Sequence, residues 1–258
     1  MLRISRPVVL AFSLLCSTVN LAQTTSPASP TPARDPQAIQ LLARSLATIA
    51  GTGPVVVDSV SVGSLAYSDG RSGPITIETM GTSLRQQMTV PGSVTVHVVN
   101  NGTEFVATNG GRALRSSWQS QYQRPEHIFA ASRMADYTNP NTQVVYVGVE
   151  QVQGAAAHHV RISTWSTDPN SPGEDPVSEF HAFLDAQTLL PVKTQHFDFS
   201  PRAMQNRSLV ETYYADYRFV SGVRVLFRMT AFLQGQQLYQ VVLSQAQINV
   251  GVSANDFE

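Results

Sequence analysis

The residues able to do acid–base or metal chemistry are few and far apart. Six histidines (His97, His127, His158, His159, His181 and His196) and one cysteine, Cys16, are the nitrogen and sulfur donors. His158 and His159 adjoin in a run with strand character, and successive strand side chains point to opposite faces, so the two cannot easily grip one ion together. His196 and Asp198 are two apart and would share a strand face, with His181 and Asp185 as candidates for the neighbouring strand. A metal ion or a hydrolytic acid–base pair would have to draw on this set. Hydrogen-bonded surface pairs of this kind far outnumber ligand sets, so no metal and no cofactor is expected. Gly-x-Ser-x-Gly, His-Glu-x-x-His, phosphate-loop and dinucleotide-binding patterns are all missing. No catalytic residue is therefore assigned, and Trp118 and Trp165 read by default as core aromatics.

Composition narrows the classes further. Of 258 residues, 42% are hydrophobic and 14% charged, enough to bury a sizeable core. A net charge of -1 without a basic stripe gives no footprint for nucleic acid. One cysteine excludes an internal disulfide framework and a multi-cysteine cluster. Arg3 and Arg6 precede an apolar run over residues 7–15, and small or polar residues follow to Ala22, the three-part pattern of a secretory signal peptide. The run is too short to span a bilayer. Cleavage is predicted after Ala22; acylation of Cys16 would need a small residue where Leu15 stands. The leader predicts a soluble periplasmic protein. Residues 23–34, QTTSPASPTPAR, are too poor in apolar groups to offset ordering entropy and form a linker, leaving residues 35–258 as a single domain.

Asp35-Pro36 is an N-cap followed by proline at the first helical position, and Ile39, Leu42, Leu46 and Ile49 recur on one face up to Gly51, which predicts one amphipathic helix. From Val55 the period becomes two. Strands are expected at 55–67, 75–80, 84–90, 94–98, 103–108, 142–150, 156–165, 178–185, 190–199, 208–219, 223–233 and 238–248, with hairpin signals at Asn100-Asn101-Gly102 and Asn109-Gly110-Gly111. Their close spacing without intervening helices argues for an antiparallel meander. The alternation stops between Ser116 and Tyr137. There Ile128, Phe129, Ala131 and Met134 could share a helical face, either as a packed connector or as a lid over the sheet.

Several strands are apolar on both faces. Val223, Val225, Phe227, Met229, Ala231 and Leu233 form one row, while Leu226 and Phe232 interrupt the other; Leu209, Tyr213, Ala215, Tyr217 and Phe219 oppose Val210 and Tyr214; Tyr239, Val241 and Leu243 oppose Val242. Two arrangements satisfy this pattern. A helix can fill one side of a curved sheet completely, or an unclosed barrel can keep an apolar cavity that its own side chains do not fill.

The runs VVYVGVEQVQGAAAHHVRIS (144–163), FHAFLDAQTLLPVKTQHFDFS (180–200) and YRFVSGVRVLFRMTAFLQGQQLYQVVLSQAQINVGVSANDF (217–257) resemble the LolA/LolB-like lipoprotein-carrier superfamily. The resemblance lies in the order of an aspartate-turn-Leu-Pro segment (Asp185 to Pro191), a Tyr-x-x-x-x-Gly-Val strand start (Tyr217 to Val223) and a closing Asn…Phe tail (Asn249 to Phe257). The stretch DPQAIQLLARSLATIAG (35–51) resembles the group's leading helix. It implies a mainly β, α+β fold with a few helices: a strongly curved antiparallel sheet forming an unclosed half-barrel, its concave side covered by helices over an apolar hollow for acyl chains. It also implies the periplasm. The sequence departs from the family in two respects. The lid-locking arginine takes no single position, since Arg71, Arg85, Arg112 and Arg115 all fall in the poorly matched first half, and Leu226 or its neighbours replace a usual proline.

The expectation is a secreted, non-enzymatic periplasmic protein that holds a lipid or lipoprotein acyl chains, with Val225, Phe227, Met229, Tyr239, Val241 and Leu243 lining the cavity and Ile128, Phe129 and Met134 in the lid. Membrane contact would be transient. The alternative is an envelope-stress sensor or protein-interaction module, with envelope proteins as partners, built on the same fold. A hydrolase using His196 and Asp198 ranks last.

Overall fold

The computed structural model describes residues 32–100, 103–115, 130–164, 176, 178–200 and 203–258. The predicted leader, residues 23–31 of the predicted linker, Ile128 and Phe129 lie outside them, as do His127, Trp118 and Trp165.

Helix α1 (Pro36–Ala50) starts where the capping signal places it: Asp35 accepts a hydrogen bond from the Gln37 N–H, and Gly51 caps the other end. Its buried face is rotated from the predicted one. Ala38, Leu41, Leu42 and Ser45 are buried, while Ile39 and Leu46 are half-buried at its flank.

Among the described residues thirteen strands follow: β1 (Asp58–Tyr67), β2 (Ser72–Met80), β3 (Ser83–Val90), β4 (Ser93–Asn100), β5 (Thr103–Thr108), β6 (Gly111–Arg115), β7 (Thr142–Val152), β8 (Ala155–Thr164), β9 (Ser178–Asp185), β10 (Pro191–Ser200), β11 (Ala203–Val220), β12 (Val223–Leu233) and β13 (Gln236–Ile248). Between β6 and β7 stands a short helix, α2 (Ala130–Met134), continued by a 3₁₀ turn over Ala135–Thr138. All strands belong to one antiparallel sheet, ordered β6-β5-β4-β3-β2-β1-β13-β12-β11-β10-β9-β8-β7. Every neighbour is a sequence neighbour except β1 and β13, whose pairing joins the two halves. β6 and β7 remain at opposite edges, so the sheet is not closed.

Tight turns set the registers. Asn109-Gly110 and Ser221-Gly222 both take positive φ at the two central positions, the conformation whose twist matches a two-residue hairpin. At the Asp185 turn, the carboxylate accepts from the N–H groups of Gln187 and Thr188 and from the Thr188 hydroxyl, and these bonds hold its pKa below the ordinary carboxylate range. Bulges then bend the strands. One extra residue in β13 opposite Val62/Gly63 shifts the alternation, so Leu243 and Ala246 both join the core.

The main core runs along one sheet face, from Leu84 and Val99 through Ile77, Leu65, Val241 and Phe227 to Phe180, Ile162 and Val144, and includes Ala38, Leu41 and Leu42 of α1. Helix α1 lies against β12 and β7, and α2 against α1 and β9. Two smaller clusters seal other places. Phe257, at the end of the Asn249–Phe257 tail, is 1% exposed against Val98 and Phe105; Val152, Ala157 and Phe183 pack together beside Val192 and Tyr213.

Candidate functional site

Of the polar constellation considered around His196, the Asp198 side chain lies outside the described residues, and His181 and His196 are not brought together. His196 pairs with Phe180 and Val210 and is buried, whereas His181 pairs with Gln195, one residue out of step, so the two imidazoles point to opposite faces of the sheet. Among the described residues, no group of three or more His, Cys, Asp or Glu side chains is placed to hold a metal ion. Sequence spacing predicted a shared face for His196 and Asp198 but could not tell which face β9 would turn to it.

A cavity of about 180 Å3 opens instead where β1, β11, β12 and β13 end. Ile49 of α1, Val56, Val223, Val225, Leu226 and Ile248 line it, with Ala131 of α2 and Pro191 of β10. Thr79 of β2 and Pro191 of β10 line the same cavity. In a flat sheet these strands would lie five spacings, about 24 Å, apart, far wider than a cavity of this volume. The sheet therefore curls around it.

Its polar groups are largely turned to one another. The hydroxyls of Ser59 and Thr79 are 2.7 Å apart, Tyr217 donates to the Pro191 carbonyl at 2.8 Å, and the Tyr214 and Thr194 hydroxyls are 2.8 Å apart. Burial, with the neighbouring Tyr214 adding, raises the Tyr217 pKa well above the ordinary phenol range, so it stays a neutral donor. The wall thus offers carbon to a guest. Arg224 and Gln247 stand among its polar lining residues.

Of the cavity residues expected from sequence, Val225 lines this space. Phe227, Met229, Val241 and Leu243 line a second void of about 20 Å3 with Ile77 and Leu226, so Leu226 touches both spaces. Tyr239 packs edge-on to Tyr67, its ring centroid 6.1 Å away, and burial pushes its pKa up. Met134 is fully buried in the core, and Ile128 and Phe129 lie outside the described residues. Ile49, Val56, Tyr217, Val223 and Ile248 also line the larger cavity, beyond the residues expected from sequence. The apolar row Val223/Val225 pointed to this end of β12, but nothing local indicated that strand ends 190 residues apart converge there.

The segment expected to form a lid is anchored in its described part by an arginine the sequence reading did not single out. Arg133 of α2, 5% exposed, donates to the Ser178 hydroxyl of β9 at 2.6 Å and stands 3.7 Å from Asp136. Arg71 and Arg85 are engaged elsewhere, with Asp69 and Glu78, and Arg112 lies over the Phe105 ring. No described helix is long and apolar enough to cross a membrane.

No protein-family model and no curated protein sequence matches the chain. Solved structures do match. A LolA superfamily protein from Nitrosomonas europaea aligns over 89% of this chain and 98% of its own, at 10% identity and a TM-score of 0.49. A DUF1329 family protein from Desulfovibrio piger aligns over 88% and 98%, at 12% identity and a TM-score of 0.49. A domain described as an outer membrane lipoprotein-sorting protein, from Vibrio parahaemolyticus, aligns over 86% and 96%, at 14% identity and a TM-score of 0.48.

Proposed function

We propose that this protein holds an acyl chain of a lipid or lipoprotein in the cavity between α1, α2 and the curled sheet, as a periplasmic carrier without catalysis. The observation that carries this reading is a wall of carbon whose hydroxyls are mostly paired among themselves. Such a wall favours burial of methylene groups, each contributing about 0.8 kcal/mol, and offers little to a polar ligand. The family resemblance of residues 144–163, 180–200 and 217–257 supports the same reading, and the predicted leader would deliver the chain to the right compartment.

The volume sets how the guest enters. A cavity of about 180 Å3 is close to an apolar cavity of about 150 Å3 that stays dry and binds benzene, and below the ~300–1,000 Å3 of pockets for drug-sized ligands. It admits the first methylenes of a chain. A longer stretch requires Leu226 to turn aside and α1 or α2 to yield, as a cover over the trough would.

Native mass spectrometry of gently purified protein, with titration of a fluorescent fatty acid, tests the reading. Co-purifying lipid and saturable probe uptake are expected, and Val225→Trp, which fills the cavity, should weaken uptake. Absence of both lipid and uptake would sink it. The sensor alternative would draw on β7, an edge strand whose first part is already paired by Ala33 and Asp35 at Val144 and whose later part carries exposed Val147 and Val149, which suits strand addition by a protein partner there; a stoichiometric complex that competes with no lipid would favour that reading.

A further inference from the structure

Five large apolar side chains are exposed at the end of the sheet where the cavity opens, and one of them, Val56, lines it. Val55 is 84% exposed, Phe219 65%, Val57 58%, and Val56 and Val250 are exposed too. They come from the α1–β1 connection, the end of β11 and the residues after β13, all at one end of four adjacent strands. Phe219 sits beside Gly51 at the end of α1, and Val250 is fixed by its N–H to the Asp58 carboxylate. Clusters of this kind mark a surface that meets something apolar.

The backbone beneath the valines indicates what. The Asn249 side chain accepts from the Val57 N–H at 2.9 Å and donates to the Val55 carbonyl at 3.0 Å, and the Val57 carbonyl accepts from the Gly81 N–H at 3.1 Å. These three bonds lower the cost of bringing this irregular segment up to the headgroup layer, where each backbone group left unpaired away from water would cost several kcal/mol. Arg224 stacks its guanidinium 4.9 Å from the Phe219 ring. Arg218, paired with Asp216, stands next to it in sequence. A cation laid against an aromatic at the edge of an apolar patch suits the headgroup layer above buried acyl chains, and an anionic headgroup in particular.

We infer that the rim formed by Val55, Val56, Val57, Phe219 and Val250 docks the cavity mouth on an anionic lipid bilayer, with Asn249 shielding the backbone and Arg224 meeting the headgroups. The purpose of the contact rests on the acyl-binding reading: a guest then passes from bilayer to cavity without crossing water.

Co-sedimentation of the full chain with phosphatidylethanolamine vesicles containing phosphatidylglycerol tests this. Val55→Ser with Val57→Ser and Phe219→Ser should lower binding by about tenfold, with thermal melting unchanged because these side chains are exposed. Arg224→Gln should weaken binding only where phosphatidylglycerol is present. Unchanged binding of the triple variant overturns the inference, as does a concentration-dependent dimer of the wild type that the triple variant loses, since the patch would then be a contact between copies. Uptake of a fluorescent fatty acid from aqueous monomer separates the two readings: the triple variant should keep it. Loss of uptake in the wild type, with vesicle binding intact, would remove the cargo but leave the docking surface.

Discussion

His159 Nε2 lies 2.7 Å from His181 Nδ1 across the β8–β9 pair, and the other nitrogen of each ring meets a carboxylate, Glu150 at 2.5 Å and Glu179 at 3.0 Å. The His159 ring also stacks on Phe183, with centroids 4.2 Å apart. A proton added at Nε2 of His159 would face His181 and sit in a buried place. Burial is the largest cause that pushes the His159 pKa below the usual imidazole value; the charges of His181 and Arg161 act in the same direction and Glu150 opposes them.

The sign of the pH dependence follows. The unfolded histidine takes its proton near pH ~6.5, the folded one only at lower pH, so between the two values the unfolded state binds more protons. This contribution to stability is complete above the unfolded pKa and falls as the pH drops below it. Urea midpoints measured over about pH 5 to 8 should decline on the acid side, and His159→Gln should flatten that decline. An acid slope identical in wild type and variant would refute the assignment.

Arg133 ties α2 to the sheet. Its guanidinium donates to Ser178 and lies 5.5 Å from the Phe180 ring, close to Asp136. Arg133→Met keeps the stem and removes the donors, and should cost about 1–3 kcal/mol. The diagnostic readout is local: amide exchange over residues 130–138 should accelerate, while β12 and β13 keep their protection. Uniform loss of protection would show that Arg133 supports the whole domain and not this segment.

Gly51 is a close contact that no other residue can make. It holds φ +58° as the cap of α1, and a Cβ there would stand 2.2 Å from the Gly222 carbonyl oxygen in the β11–β12 turn. Gly51→Ala must push α1 away from the hairpin or distort both, at a cost above about 2 kcal/mol. Because Ile49 lines the cavity, thermal melting and probe uptake should fall together. A variant that melts like the wild type would mean that the approach relaxes freely.

These contacts mark where sequence reading succeeds and stops. Alternation and turn residues announced twelve of the thirteen strands because period-two patterning and positive-φ dipeptides are local signals. β6 carries no such signal: Gly111-Arg112-Ala113-Leu114-Arg115 is short, polar and at the sheet edge. The helix was placed well but its buried face was read one position off, because Ala38 and Ser45 are small enough to sit closest to the sheet. The cavity itself was beyond reach. It depends on β1 pairing with β13 and on one extra residue in β13, which carries Ala246 and Ile248 inward. Neither long-range register nor a bulge has a signature in a single strand. Val225 is legible because it extends an apolar row; Val56 is not because it belongs to none.

Leu226 lines both the larger cavity and the void between Ile77, Phe227, Met229, Val241 and Leu243. Truncating it should have opposite effects on stability and binding. Leu226→Ala removes packing from a half-buried site and should cost about 1–3 kcal/mol, at or below the lower range for fully buried leucines. It also joins the two spaces into one deeper pocket, where each further methylene buried adds about 0.8 kcal/mol. The variant should therefore melt earlier yet bind long-chain fluorescent fatty acids more tightly, with little gain for short ones whose tails never reach the inner void. Isothermal titration across a chain-length series reads this directly. If long and short chains gain or lose affinity equally, Leu226 is only part of the wall and the inner void plays no role in accepting the guest.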